Sequence, residues 1–142
     1  MTIKKQPVSV RIATWENDKE KLSEVRRQVF IDEQKVPKQM EWDGEDESSI
    51  HYLAEIDDNT VAVARLKPDG QLGRMAVLKE YSNQGIGHTL RPFIINNLNS
   101  RKEIYLNAQV SEIPFYKKNG FVECGDLFYE ANIPNKKMLL AD

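Results

Sequence analysis

The stretch EYSNQGIGHTLRP, residues 80–92, places Gly85 and Gly87 on either side of one isoleucine, directly after an apolar run and directly before a helical pattern. No other feature restricts the fold as tightly. A strand that runs into a glycine-rich turn and then a helix leaves several main-chain amides unpaired and pointing one way, with the positive end of the helix dipole behind them. Such a turn binds anions when glycine keeps side chains off the amides and supplies positive φ. A plain turn at Asn83-Gln84-Gly85, with Gly87 as a packing residue, satisfies the same spacing. Two nucleotide patterns are excluded. The P-loop needs Gly-Lys-Ser/Thr, but His88-Thr89 follows, and the dinucleotide fingerprint needs a third glycine where Leu90 stands.

The rest of the chain supplies the frame for this turn. Residues 8–13 alternate as a half-buried strand, and Asn17 with Glu20 predicts a capping box opening an amphipathic helix over 18–31, its apolar face at Leu22, Val25, Val29 and Phe30. Pro37 ends that regime, and the acidic stretch MEWDGEDESS reads as a loop or short irregular helix. Runs at 51–56, 60–66 and 72–78, separated by Asp57-Asp58-Asn59 and Pro68-Asp69-Gly70, predict an antiparallel meander. After Gly87 the apolar spacing is helical, with Pro92 predicting a kink or a late start. Residues 104–110 read as strand, Ser111 as the cap of a short helix, and Gly120 as its left-handed stop. The tail over 127–140 predicts two more short strands around 132–135.

A length of 142 residues suits one domain over 1–142, and the order of strands and helices, with short connections between the middle strands, reads as α+β with an antiparallel meander. The net charge of −2 offers no general attraction for nucleic acid or anionic membrane, so neither is an expected partner. The single Cys124 rules out an internal disulfide, and neither a signal-peptide core nor a membrane span is present, so the expected location is cytoplasmic. Two histidines and one cysteine show no zinc spacing, and the glycine of the acidic stretch comes too early for an EF-hand; no metal site is expected.

MAVLKEYSNQGIGHTL resembles the acetyl-CoA signature of the GNAT superfamily of N-acetyltransferases, a strand leading to a turn of pattern Arg/Gln-x-x-Gly-x-Gly/Ala. NAQVSEIPFYKKNGF is similar to the strand, helix and closing Phe-Tyr-x-x-x-Gly-Phe of the same superfamily, and VFIDEQKVPKQMEWDGEDESSIHYL resembles its ElaA-like subgroup through Glu41, Asp43, Asp46 and His51. The VFIDEQ and EWDGEDESS segments of that stretch, within 29–49, are also faintly similar to acyl-homoserine lactone synthases, which are normally longer chains. The sequence departs from the superfamily pattern at Ser82, where Arg or Gln usually opens the turn, at His88, often Arg, and at Asn135, commonly His in the subgroup.

The resemblance implies an α+β fold with a mixed, mostly antiparallel central sheet of about six or seven strands flanked by helices, and an acetyl-CoA-dependent N-acetyltransferase in which a primary amine of a small molecule or protein attacks the thioester directly within a ternary complex. Acetyl-CoA would be a co-substrate, with its pantetheine against Met75, Ala76 and Val77 and its diphosphate on the amides of Asn83, Gln84, Gly85, Ile86, Gly87 and His88. Gln109 stands where many relatives carry a CoA-contacting Asn. Tyr116 matches the tyrosine that faces the sulfur. A free phenol at about 10 and a thiol at about 8.5 make full proton transfer uphill by roughly 2 kcal/mol, so a hydrogen bond to the developing thiolate is the expected role. The protonated amine needs a base, for which Glu33, Glu41, Asp43 and His51 are the choices, Glu41 and His51 ahead. For His51 the competing reading is a strand histidine satisfied by the backbone; for Tyr116, a core aromatic beside Phe115. Many relatives pair as dimers, so a homodimer is compatible with the resemblance. The rival in another class is a noncatalytic acyl-CoA-binding or sensing module.

Overall fold

The computed structural model describes residues 7–82, 84–97 and 103–141. The alternating N-terminal run forms β1 (Ser9–Ala13), and Thr14 caps α1 (Trp15–Arg26). Its Oγ1 accepts from the Asn17 amide at 3.2 Å, while its own amide donates to Asp18 Oδ2 at 3.2 Å. The reciprocal cap expected at Asn17 and Glu20 therefore forms earlier. Thr14 keeps an extended backbone, so β1 enters the helix with no intervening loop. Beyond Arg26 the helix does not run on regularly to Ile31: Arg27–Glu33 winds as a wider π-helical turn, a form that recurs at functional sites. Past Pro37, the acidic stretch begins with one helical turn, α2 (Lys38–Glu41).

β2 (Ile50–Ile56), β3 (Asn59–Leu66) and β4 (Leu72–Val77) follow as the expected meander, giving the antiparallel order β1-β2-β3-β4. Asp57 and Asp58 both take positive φ, 50° and 65°, the backbone that a tight hairpin between right-twisted strands demands. Both faces of this sheet are buried. Leu53, Val63 and Ala76 pack with Leu22 and Val25 of α1, whereas Tyr52, Ala54, Ala62 and Ala64 pack with Leu90 and Ile94 of α3 (Ile86–Asn96). α3 begins ahead of Pro92, so the late start does not occur. Pro92 and His88 both lie on the exposed side, where water can satisfy the carbonyl that the proline leaves free.

A second sheet pairs β5 (Tyr105–Gln109), β7 (Ile133–Leu140) and β6 (Phe121–Glu130) in that order, all antiparallel. Between β5 and β6 a 3₁₀ turn leads into α4 (Ile113–Lys118). Its first turn is set by Pro114, with Glu112 rather than Ser111 at the N-cap and no side-chain cap. Gly120 stops α4 at φ 92°, as expected. β6 starts at Phe121, ahead of the expected tail strands, and turns into β7 through Ala131 and Asn132.

The two sheets meet at one point. Gln71 of β4's approach forms a parallel bridge with Tyr105, whose amide donates to the Gly70 carbonyl at 3.0 Å. Gly70 has φ 97°, and a Cβ there would lie 2.1 Å from the Glu103 carbonyl oxygen, so only glycine lets the strands touch. Beyond this junction β4 and β5 are the terminal strands of their sheets and, among the described residues, share no ladder. No helix among the described residues is long and apolar enough to cross a membrane.

Candidate active site

The divergence of β4 from β5 opens a cleft of about 560 Å³. One wall is β4 from Leu72 to Val77, the other β5 from Leu106 to Gln109; the π-helical turn contributes Val29, Phe30 and Glu33, and α4 contributes Phe115 and Tyr116. Each facing strand edge carries main-chain donors and acceptors with no strand to pair with among the described residues, an arrangement able to receive an extended, amide-bearing ligand. β4 is bulged in its ladder with β3, opposite the cleft edge: Arg74 and Met75 stand opposite Ala64 alone, and Arg74 adopts φ 49°. A left-handed arginine carries no sequence signal, so the bulge is visible only in the structure.

At one end of the cleft stands the glycine turn. Gly85 is the N-cap of α3 at φ 79°, the conformation that glycine adopts freely. The first-turn amides of α3 have no capping side chain, so this end of the helix is open to an anion. Met75, Ala76, Val77, Gly85, Ile86, Gly87, His88, Gln109 and Tyr116 all line the cleft. Gln84 does not: its Nε2 turns back to the Glu80 carbonyl at 3.0 Å. Asn83 lies outside the described residues. Ser82 reaches the cleft, but its hydroxyl donates to the Lys79 carbonyl at 2.6 Å. The Tyr116 ring is held edge-on between Phe115 and Phe121, at 5.6 and 5.8 Å between centroids. Arg91, which helical spacing alone does not distinguish from a solvated residue, also lines the cleft.

Glu41 and His51 lie elsewhere, in a buried polar cluster on the α1 side of the sheet, and neither lines the cleft. Arg26 Nε donates to Glu41 Oε2 and Arg26 Nη1 to Asp46 Oδ1, both at 2.6 Å. Arg65 Nη1 joins Asp46 at 3.0 Å, and Arg65 Nη2 joins Asp43 at 2.8 Å. Arg74 closes the ring from the bulge, with Nε 3.3 Å from Glu41 Oε1 and Nη2 3.2 Å from Asp43 Oδ2. Burial pushes the Glu41 carboxyl above its ordinary range, while Arg26, Arg74 and Arg65 pull it back. Asp43 is held well below the usual carboxylate range by the Arg65 hydrogen bond. His51 Nε2 sits 2.8 Å from the Asp46 carbonyl, an acceptor only, so Nε2 carries the proton; the ring stacks on Trp15, and burial pushes its pKa down. These contacts match a histidine satisfied by the backbone, and the acidic stretch turns Glu41, Asp43 and Asp46 inward instead of forming a rim of free charge. Of the four residues weighed as base, Glu33 alone lines the cleft.

Residues 15–141 match the acetyltransferase (GNAT) domain family. The chain belongs to the GNAT acetyltransferases. As a GNAT N-acetyltransferase it is similar to the uncharacterized N-acetyltransferase YjcF of Bacillus subtilis, 31% identical over 121 residues that cover 81% of this chain and 86% of that one. The fold matches an acyl-CoA N-acyltransferase from Pseudomonas aeruginosa with a TM-score of 0.85 at 27% identity, covering 95% of this chain and 100% of the other. It also matches Escherichia coli ElaA with a TM-score of 0.84 at 24% identity, over 94% and 99% of the two chains, a likeness of fold. In this GNAT enzyme the strand edges, the open helix terminus and Tyr116 converge on one cleft.

Proposed function

We propose that this GNAT enzyme, read as an ElaA-like member, transfers an acetyl group from acetyl-CoA to a primary amine of a small molecule or protein by direct attack in a ternary complex. The observation that carries the reading is the cleft bounded by two unpaired strand edges and ending at the uncapped first turn of α3. The bare edge of β4 along Met75, Ala76 and Val77 suits the amide-bearing pantetheine, and the amides from Gly85 to His88 suit the diphosphate. With donor and acceptor held side by side, most of the acceleration comes from positioning.

The amine nitrogen attacks the acetyl carbonyl, the C–N bond forms, and the C–S bond breaks with its electron pair leaving on sulfur. Tyr116 donates a hydrogen bond to that thiolate. Glu33 takes the proton that the ammonium form of the acceptor must lose before it attacks, and the second proton, left on nitrogen once the C–N bond has formed, passes to solvent as the amide is completed. Glu41 serves this site by fixing Arg74, and with it the bulge of β4, while His51 holds the Asp46 carbonyl of the same cluster, neither by touching substrate.

The test follows release of free CoA thiol from acetyl-CoA across a panel of small amines and amine-bearing peptides. Turnover with at least one acceptor supports the reading. Saturable acetyl-CoA binding with no turnover on any acceptor would instead support a noncatalytic binding module.

A further inference from the structure

Arg91 is a half-buried cation with no carboxylate paired to it among the described residues, only the Tyr116 hydroxyl and Glu112 nearby. Its Nε and Nη1 are shielded from solvent and have no hydrogen-bond partner, and among the described residues no carboxylate forms an ion pair with it. Burial pushes the guanidinium below its ordinary value, opposed by Tyr116 and Glu112, yet an arginine stays charged under these conditions. Orphaned, desolvated N–H groups on a cation are costly, and a protein retains them where a ligand completes them.

The direction of the side chain narrows the ligand. Helical side chains lean toward the N-terminus, and Arg91 leans back one turn so that Nη1 lies 3.0 Å from where a Cβ on Gly87 would stand. Gly87 does not have a left-handed backbone; its missing side chain makes room for the guanidinium. The aromatic face of Phe115, with its centroid 3.5 Å from Cζ, holds the fork from the other side, and the Tyr116 ring is 5.2 Å away. A positive charge beside the positive end of a helix is unfavourable in the free protein. Both terms reverse when an anion enters. Arg91, which lines the cleft, therefore lies beside the uncapped first turn of α3 at the same end.

We infer that Arg91 is a ligand for the diphosphate of the acyl donor, supplying from within α3 the side-chain contact that Ser82, its hydroxyl spent on Lys79, does not offer at the head of the turn. This deepens the proposed function and rests on it. The enzyme then distinguishes a CoA thioester from a shorter pantetheine thioester through Arg91 as well as through the turn, since the fork pairs two oxygens at once.

The experiment titrates CoA, dephospho-CoA and pantetheine into wild type, Arg91→Met and Arg91→Lys, with folding of each variant checked by circular dichroism and thermal melting. Met keeps the volume of the stem and removes the charge. Expected is a loss of roughly 10- to 100-fold for both CoA and dephospho-CoA in Arg91→Met, an intermediate loss in Arg91→Lys, and pantetheine binding unchanged. Comparable losses for pantetheine would overturn the inference and make Arg91 a packing residue. Unchanged CoA affinity in folded Arg91→Met, with wild type binding normally, would overturn it as well. A fall in turnover alone, with affinity intact, would move the cation to the departing sulfur and overturn the diphosphate assignment. Should wild type itself bind no CoA, the functional reading fails and this inference with it.

Discussion

Arg26 Nε and Glu41 Oε2 stand 2.6 Å apart, with side-chain exposures of 1% and 2%, and the same guanidinium holds Asp46 with Nη1. Removing one partner of such a pair leaves a desolvated charge behind, which costs about 3–5 kcal/mol. Arg26→Met should destabilise by about that much in denaturant unfolding, because two buried carboxylates lose a cation together, Asp46 keeping only Arg65 and Glu41 only the longer contact to Arg74. Glu41→Gln leaves Arg26 paired with Asp46 and should cost less, about 1–3 kcal/mol. An Arg26→Met protein within about 1 kcal/mol of wild type would remove the pair from the list of structural determinants.

The same cluster sets a pH dependence. His51 is neutral in the fold because burial lowers its pKa, and the groups facing it are the Asp46 carbonyl and carboxylate, Arg26 and Arg65. The unfolded chain takes up a proton at His51 below about pH 6.5, the folded chain only at lower pH, so in between the unfolded state binds more protons. Stability from His51 is thus complete above about pH 6.5 and is lost as pH falls through the folded pKa. Unfolding midpoints measured from about pH 7.5 down to about pH 5 should decline for wild type, whereas His51→Gln, which cannot titrate, should be lower at the start and flatter. Parallel slopes would show that another group carries the dependence.

Local chemistry made much of the frame readable, and long-range pairing hid the rest. Lys118-Asn119-Gly120-Phe121 announces a helix stop because only glycine takes that backbone cheaply, and the meander is written in alternating apolar residues and Asp-Asp or Pro-Asp-Gly turns. The glycine turn was legible for the same reason. Arg74 was not, because a left-handed arginine is held by Glu41, Asp43 and the Met40 carbonyl, more than thirty residues earlier. MEWDGEDESS has the composition of a solvated loop, and what turns three of its acids inward is a set of arginines on α1, β3 and β4. Arg91 and Gly87 explain each other only once α3 and α4 are seen together.

Gly70 and Gly44 separate steric need from backbone need. Both have positive φ, 97° and 79°, but a Cβ at Gly70 would overlap the Glu103 carbonyl, while one at Gly44 meets nothing within 4 Å. Gly44→Ala should cost about 1 kcal/mol, the ordinary penalty for a left-handed alanine. Gly70→Ala adds overpacking at the point where the sheets join and should cost about 2–4 kcal/mol. It should also weaken acetyl-CoA binding, since the junction sets how far β4 and β5 diverge. Equal losses in urea unfolding for the two variants would show that the junction yields easily.

Tyr116 is packed edge-on by Phe115 and Phe121, so Tyr116→Phe removes the hydroxyl without disturbing the ring. A hydrogen bond that forms only as sulfur gains charge affects kcat and leaves ground-state binding alone. Turnover should fall about 100-fold, with acetyl-CoA affinity by calorimetry close to wild type. Unchanged turnover would reduce Tyr116 to a wall residue.

Glu33 lies on the π-helical turn at the cleft, the one acid of those weighed as base that reaches it. A primary amine with a pKa near 10.4 is almost wholly protonated at neutral pH, so a base is worth most there and least where solvent already does the work. Glu33→Gln should lower kcat/KM by about 100-fold near pH 7, and the deficit should shrink steadily as the pH is raised toward the amine pKa. A deficit that stays constant across the profile would mean that Glu33 positions the acceptor through its charge rather than taking its proton, because loss of attraction for a cation does not disappear until the cation itself is gone.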